Sequence, residues 1–192
     1  MLLNGYTKYD DVNVNKCTSL VSNVELVGYI LGTYSSAREV WKAIKNDSFP
    51  RVFSPPLQGI KLDLYYSIID STGEAYVLEY LNEGRRIHKN ILQVATNSPP
   101  YQFHLLNMKN YVHLSRFSKP NLKLGKVTIS GTDVGNGLLG VPGDFTPPSR
   151  FVRTAAMIHF ANTKDDGEGA AKLAFHVLNA VDIPKGKNHL FY

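Results

Sequence analysis

Between Lys61 and Ala95 the sequence alternates apolar and polar residues in short runs broken by turns. Leu62, Leu64, Tyr66 and Ile68 alternate with Asp63, Tyr65 and Ser67, and this period of two predicts a strand. Asp70-Ser71-Thr72-Gly73 is a turn, Ala75 to Tyr80 a second strand, Asn82-Glu83-Gly84 another turn, and Arg86 to Ala95 a third, longer strand. Parallel neighbours would need crossovers of about a dozen residues or more. The connections here are far shorter, so the three strands form an antiparallel meander.

The flanks follow a different period. Val21, Val24, Leu26, Val27, Ile30 and Leu31 recur at helical spacing and predict a short buried helix that Gly32 ends. Ser35 or Ser36 caps the next helix, and Glu39, three residues after Ser36, completes a capping box. Val40, Trp41 and Ile44 form its apolar face, and it stops before Asp47-Ser48-Phe49-Pro50. After the meander, Thr96-Asn97-Ser98-Pro99-Pro100 is a strong breaker. Helices are predicted over Tyr101 to Val112, from Pro147-Pro148-Ser149 through His159, and over Ala170 to Val181, with a Gly-rich loop from Gly125 to Gly143 between the first two. Helices that precede and follow an antiparallel sheet make the fold class α+β, with helices layered on sheet faces. No repeat and no long linker divides the chain, so residues 1–192 read as a single domain.

Composition narrows the functional classes. Hydrophobic residues make up 43% and charged residues 19%, enough for a core and too little charge for a disordered chain. The net charge of +5 is spread along the chain, without the dense basic stripe and interleaved aromatics of a nucleic-acid surface. Arg85, Arg86, His88, Lys89, Lys123 and Lys126 are read as solvated positions. No apolar run reaches the ~18 residues of a membrane span, and the start Met-Leu-Leu-Asn-Gly-Tyr has neither a basic nor an apolar signal region. The expectation is a soluble, cytoplasmic protein with no membrane or nucleic-acid partner. The single cysteine, Cys17, excludes an internal disulfide framework and any multi-cysteine metal site.

Five features of the sequence bear on chemistry. Gly135-Asn136-Gly137-Leu138-Leu139-Gly140 matches a dinucleotide fingerprint as a string. The fingerprint works only where a helix opens onto the pyrophosphate, and Pro142 denies one there. His88, His104, His113, His159, His176 and His189 contain no metal-ligand spacing and are assigned to packing. The expectation is therefore no cofactor and no metal. Cys17 has no identifiable histidine partner to activate it and reads as a structural thiol. Asn97 stands at a strand exit, where its amide can donate to an oxyanion or shape a turn. In Leu138 to Arg153, a Gly/Pro loop feeds a helix start carrying Arg150 and Arg153 on one face. A cation at that end opposes the helix dipole, so a carboxylate, a carbonyl or a reacting group is expected to hold Arg150.

Gly140-Val141-Pro142-Gly143-Asp144-Phe145-Thr146-Pro147-Pro148-Ser149-Arg150-Phe151-Val152-Arg153, together with Thr96-Asn97-Ser98-Pro99, resembles the choloylglycine hydrolases, which include bile salt hydrolases and penicillin V acylases. The likeness continues through Tyr101-Gln102-Phe103-His104-Leu105-Leu106-Asn107 and Val181-Asp182-Ile183-Pro184-Lys185-Gly186, with the penicillin V acylase branch taken as the nearer side. The resemblance implies the N-terminal nucleophile hydrolase fold, an αββα sandwich with antiparallel sheets. It also implies hydrolysis of linear amide C–N bonds in a small acyl amide of bile salt or penicillin V type. In such enzymes the first residue of the mature chain is a cysteine whose own α-amino group is its base. Asn97 matches the family's oxyanion asparagine and Arg150 the arginine beside the cysteine.

The departures from the family pattern shape the expectation. Met1-Leu2-Leu3 falls inside the family's sequence, Cys17 is internal, and the second oxyanion position falls at Leu2, or at Asn4 with a gap. The expectation is a truncated hydrolase domain over 1–192, lacking the nucleophile segment and the C-terminal strands and inactive alone. The rival reading is a non-catalytic remnant that binds an acyl ligand or complements a separate N-terminal fragment. Oligomers are open to the full-length family.

Overall fold

The chain runs β1 (Leu2–Leu3), β2 (Leu20–Ser22), α1 (Leu26–Thr33), α2 (Ala37–Lys45), β3 (Arg51–Phe53), β4 (Leu64–Ile69), β5 (Ala75–Leu81), β6 (Gly84–Lys89), α3 (Tyr101–Met108), β7 (Leu122–Leu124), β8 (Val127–Ile129), α4 (Pro147–Phe160) and α5 (Gly167–Asn179). Short 3-10 turns lie at Lys109–Tyr111 and Asn136–Leu138. This computed structural model describes residues 2–3, 7–9, 19–55, 59, 62–162 and 167–183. It divides into two compact units, Met1–Phe103 and His104–Tyr192.

In the first unit the predicted meander forms. The sheet order is β1-β4-β5-β6, and each neighbouring pair is antiparallel. β5 is the central rib, with every residue from Ala75 to Tyr80 buried. Its Tyr76, Leu78 and Tyr80 pack with Leu26, Val40, Val52, Leu64 and Tyr66 into one core. Each such apolar side chain contributes about 1.5–3 kcal/mol by leaving water. Two of the core's tyrosines hydrogen-bond to buried carbonyls: Tyr9 donates to the Leu64 carbonyl at 3.0 Å and Tyr66 to the Asn23 carbonyl at 2.6 Å. Ser36 caps α2 as expected, accepting from the Glu39 amide at 3.2 Å, while the Glu39 carboxylate reaches back to the Ser35 amide at 2.9 Å, one residue before the position a strict capping box would use. Arg38 then bonds Glu74 and the Ala37 amide bonds Asp70, tying the start of α2 to the β4–β5 turn.

Two expectations for this unit are corrected. The helix predicted from Val21 to Leu31 is a strand, a turn and then a helix. Asn23 is buried and donates its carboxamide to the Leu62 carbonyl (2.7 Å) and the Ser54 hydroxyl (3.2 Å). A side chain with such partners outside the helix stops helical hydrogen bonding through that residue. Apart from the antiparallel meander, β2 pairs with β3 in parallel as a separate two-stranded sheet. The third strand of the meander ends at Lys89 rather than Ala95. The Asn90 amide makes the last rung, to the Ala75 carbonyl, and a turn follows in which Gln93 takes a positive φ of 55°.

In the second unit α4 follows the prediction closely, entered by Pro147 and Pro148 at its first positions, where a missing N–H costs nothing. α5 starts three residues before the predicted Ala170 and contacts α4. The predicted Gly-rich loop begins with structure: β7 and β8 form a hairpin around Gly125, whose φ of 59° fits the turn.

Candidate functional site

Asn97 lies in the first unit, half-buried in the bend between the turn after β6 and the start of α3. It is therefore not at the immediate exit of a strand, as the longer strand reading implied. Thr96 beside it is buried, and the Ser98–Pro99 peptide is cis. The segment is anchored downstream at Tyr101, which is 2% exposed. The Tyr101 amide donates to Glu79 Oε1 at 3.0 Å, and its hydroxyl donates to Asn90 Oδ1 at 3.1 Å. One residue on, Gln102 Nε2 meets His88 Nδ1 at 2.9 Å.

Glu79 was not singled out from the sequence, and it is the most unusual residue of the first unit. It sits in mid-β5 at 1% exposure. Burial pushes its carboxyl up to about 7, against the lowering effect of the Tyr101 amide. Oε2 has no hydrogen-bond partner among the described residues and lies 3.8 Å from His88 Nε2. Burial, then Arg86 and Lys45, hold the His88 imidazole below its ordinary value. The signal that could have exposed Glu79 is one of pattern: a lone carboxylate in the run Ala75-Tyr76-Val77-Leu78-Glu79-Tyr80-Leu81, which is otherwise apolar and aromatic.

Arg150 lies in the second unit, on the first turn of α4. Its Nε donates to the Phe145 carbonyl at 3.1 Å, so a carbonyl of its own entry loop is among the groups that hold it. The Asp144 carboxylate is engaged locally: Oδ1 accepts the Thr146 amide (2.9 Å) and hydroxyl (2.5 Å), and Oδ2 the Ser149 hydroxyl (2.6 Å). These donors bring the Asp144 carboxyl down to about 2. Arg153, on the same helix face, is the buried arginine. It donates to the carbonyls of Pro142 (2.7 Å), Asp144 (2.8 Å) and Ala180 (3.0 Å), binding loop, helix and the end of α5 together.

The other candidates resolve into packing or fall outside the description. Gly135 to Gly140 builds a 3-10 turn, and a Cβ at Gly137 would collide with the carbonyl oxygens of Ser115 and Phe117, so close backbone approach accounts for that glycine. His104 stacks on Phe151 at 4.7 Å and 10°. Arg85 lines a cleft of about 490 Å³ with Lys45, Arg51 and Arg86, yet its guanidinium is occupied by the Pro50 carbonyl and Asp47. No helix among the described residues is long and apolar enough to cross a membrane. Cys17, Asn4 and His189 lie outside the described residues, and of Leu2 the structure gives the backbone, paired opposite Tyr65.

Comparison with known proteins gives consistent matches. A family model described as linear amide C–N hydrolases, choloylglycine hydrolase family, matches residues 1–190. A bile salt hydrolase/transferase of Clostridium perfringens is 34% identical over 94% of this chain and 54% of its own length. The same figures hold for one from Lactiplantibacillus plantarum, so the chain spans about half the length of the curated relatives it matches. Among solved structures, the conjugated bile acid hydrolase of Clostridium perfringens superposes with a TM-score of 0.80 at 31% identity, covering 98% of this chain and 56% of that one. Penicillin V acylase from Agrobacterium tumefaciens shares the fold, with a TM-score of 0.75 at 19% identity over 98% of this chain and 50% of that one.

Proposed function

Because the chain belongs to the choloylglycine hydrolase family of linear amide C–N hydrolases, we propose that it carries the oxyanion-stabilising part of an amide hydrolase acting on conjugated bile acids. The family match across residues 1–190 carries this reading. Identity of 34% to each of two curated bile salt hydrolases favours the bile acid side over the penicillin V acylase branch.

In this mechanism an N-terminal cysteine thiolate attacks the amide carbonyl carbon, and the carbonyl electron pair moves onto oxygen. The family resemblance assigns Asn97 the role of donor to that oxyanion and matches Arg150 to the arginine that accompanies the cysteine. Collapse expels the amine, which takes a proton from the cysteine's ammonium, and water then hydrolyses the thioester. A donor aimed at a developing oxyanion is worth about 10²–10³ in kcat. Residues 1–192 contain one cysteine, and it is internal. On this reading a polypeptide of these residues alone is expected to give no turnover.

The test is release of glycine or taurine from conjugated bile salts by residues 1–192, first alone and then with a polypeptide that begins with the family's N-terminal cysteine segment. Activity in the second arm only, lost in Asn97→Ala, supports the proposal. Turnover by the chain alone that disappears in Cys17→Ala would overturn it and make Cys17 the nucleophile.

A further inference from the structure

We propose that Glu79 is the positioning residue for the Asn97 segment, anchoring it from the central strand through the Tyr101 amide. The inference rests on the role proposed for Asn97, and the geometry behind it is independent of that role.

Tyr101 opens α3, and the residue before it is Pro100, whose side chain offers no acceptor for the free amides of a helix start. Glu79, distant in sequence, supplies that acceptor from β5. A buried carboxylate is costly and is retained where something needs it. Here its bonded oxygen meets a helix N-terminus, where negative charge is favoured. The Tyr101 hydroxyl is tied to Asn90, itself 4% exposed and bonded by its amide to Ala75. Tyr101 is thus held at its backbone by β5 and at its ring tip by the turn after β6.

Between Asn97 and Tyr101 stand Ser98, Pro99 and Pro100. Two consecutive prolines fix their own φ angles and restrict the residue before each. Such a spacer is stiff, so a displacement at Tyr101 is carried to Asn97 instead of being absorbed. An oxyanion donor loses effectiveness when misplaced by about an ångström, and this linkage makes a residue of the sheet responsible for its aim. The ionisable groups facing Glu79 are His88 and Arg86 on β6 and the Tyr101 phenol.

The experiment reads the segment directly by NMR on the 192-residue chain. In the wild type, the Tyr101 amide proton should shift with pH at the midpoint of the Glu79 carboxyl; an amide that is silent to that titration overturns the proposal. Glu79→Gln keeps an acceptor and should preserve both the slow exchange of the Tyr101 amide and the Asn97 side-chain NH₂ signals. Glu79→Met keeps the volume and removes the acceptor. It should speed Tyr101 exchange at least about tenfold and move the Asn97 signals, while the Val77 and Leu78 amides keep their protection. Uniform acceleration across β5 would reduce Glu79 to a general structural residue and sink the idea. These readouts need no turnover, so a failure of the bile acid hydrolase assignment leaves them intact, and their failure leaves that assignment standing.

Discussion

Arg153 Nε donates to the carbonyl of Ala180 at 3.0 Å, joining the middle of α4 to the residue just beyond α5. The acceptor stands at a helix C-terminus, where carbonyl dipoles favour a cation. With Pro142 and Asp144 completing the set, one guanidinium fixes three segments of the second unit. Arg153→Met should therefore destabilise by about 3 kcal/mol, as several carbonyls lose a charged donor. Chemical denaturation checks it, and a midpoint unchanged from wild type contradicts the assignment. Arg153→Lys, with fewer and differently aimed donors, should recover only part of the loss.

Gly137 predicts a second local effect. A methyl group there meets the Ser115 and Phe117 carbonyl oxygens, which are backbone and cannot swing aside. Gly137→Ala should cost about 1–3 kcal/mol and release the Ser115 amide, which donates to the Gly137 carbonyl at 2.9 Å. Hydrogen exchange at Ser115 reports it; undiminished protection would show that the turn can relax.

Glu79 makes stability depend on pH in an unusual direction. Its carboxyl is raised from 4.5 to about 7 in the folded chain. The folded state thus binds more protons than the unfolded state between those values, and stability falls as pH rises through that window. The upper bound is about 3 kcal/mol at 1.36 kcal/mol per unit. His88, with a lowered pKa, opposes the trend below pH 6.5. The difference between wild type and Glu79→Gln isolates the carboxyl: the variant should gain relative to wild type from pH 5 to pH 8 in thermal melts. A constant difference across that range refutes the prediction.

For the chemistry, Asn97→Ala and Arg150→Ala should each lower kcat in the assembled enzyme, Asn97→Ala by about 10²–10³. Asn97→Ala should leave KM nearly unchanged, since its bond strengthens as charge develops on the oxygen. A rise in KM at constant kcat would instead place Asn97 in ground-state binding.

The meander, the Ser36 cap and the Pro147 helix start were legible because each rests on local rules: a period of two, a capping spacing, a proline at a first turn. The helix expected over Val21 to Leu31 failed because the partners of Asn23, Leu62 and Ser54, lie far along the chain. The strand end at Lys89 was missed for a related reason, since the apolar Ile91 and Leu92 themselves form the turn, closed by the Gln93 amide on the Asn90 carbonyl, and no local propensity announced it. Asn97 and Arg150 stood out from their local context and took their expected roles from a family likeness, whereas Glu79 is written in the sequence as one carboxylate in an apolar strand. Its meaning emerges only when Tyr101 arrives beside it.

The entry to α4 bears on the order of folding. Starting a helix is normally its slow, unfavourable step, because several residues must be fixed before a single hydrogen bond forms. Pro147 and Pro148 arrive with φ already suited to a helix, and the Asp144 carboxylate gathers Thr146 and Ser149 across the first turn. Those contacts span six residues and need no distant partner. A peptide of residues 144–160 should accordingly hold more helix in water than one of 149–160, making this short stretch a seed around which the rest of its unit can condense.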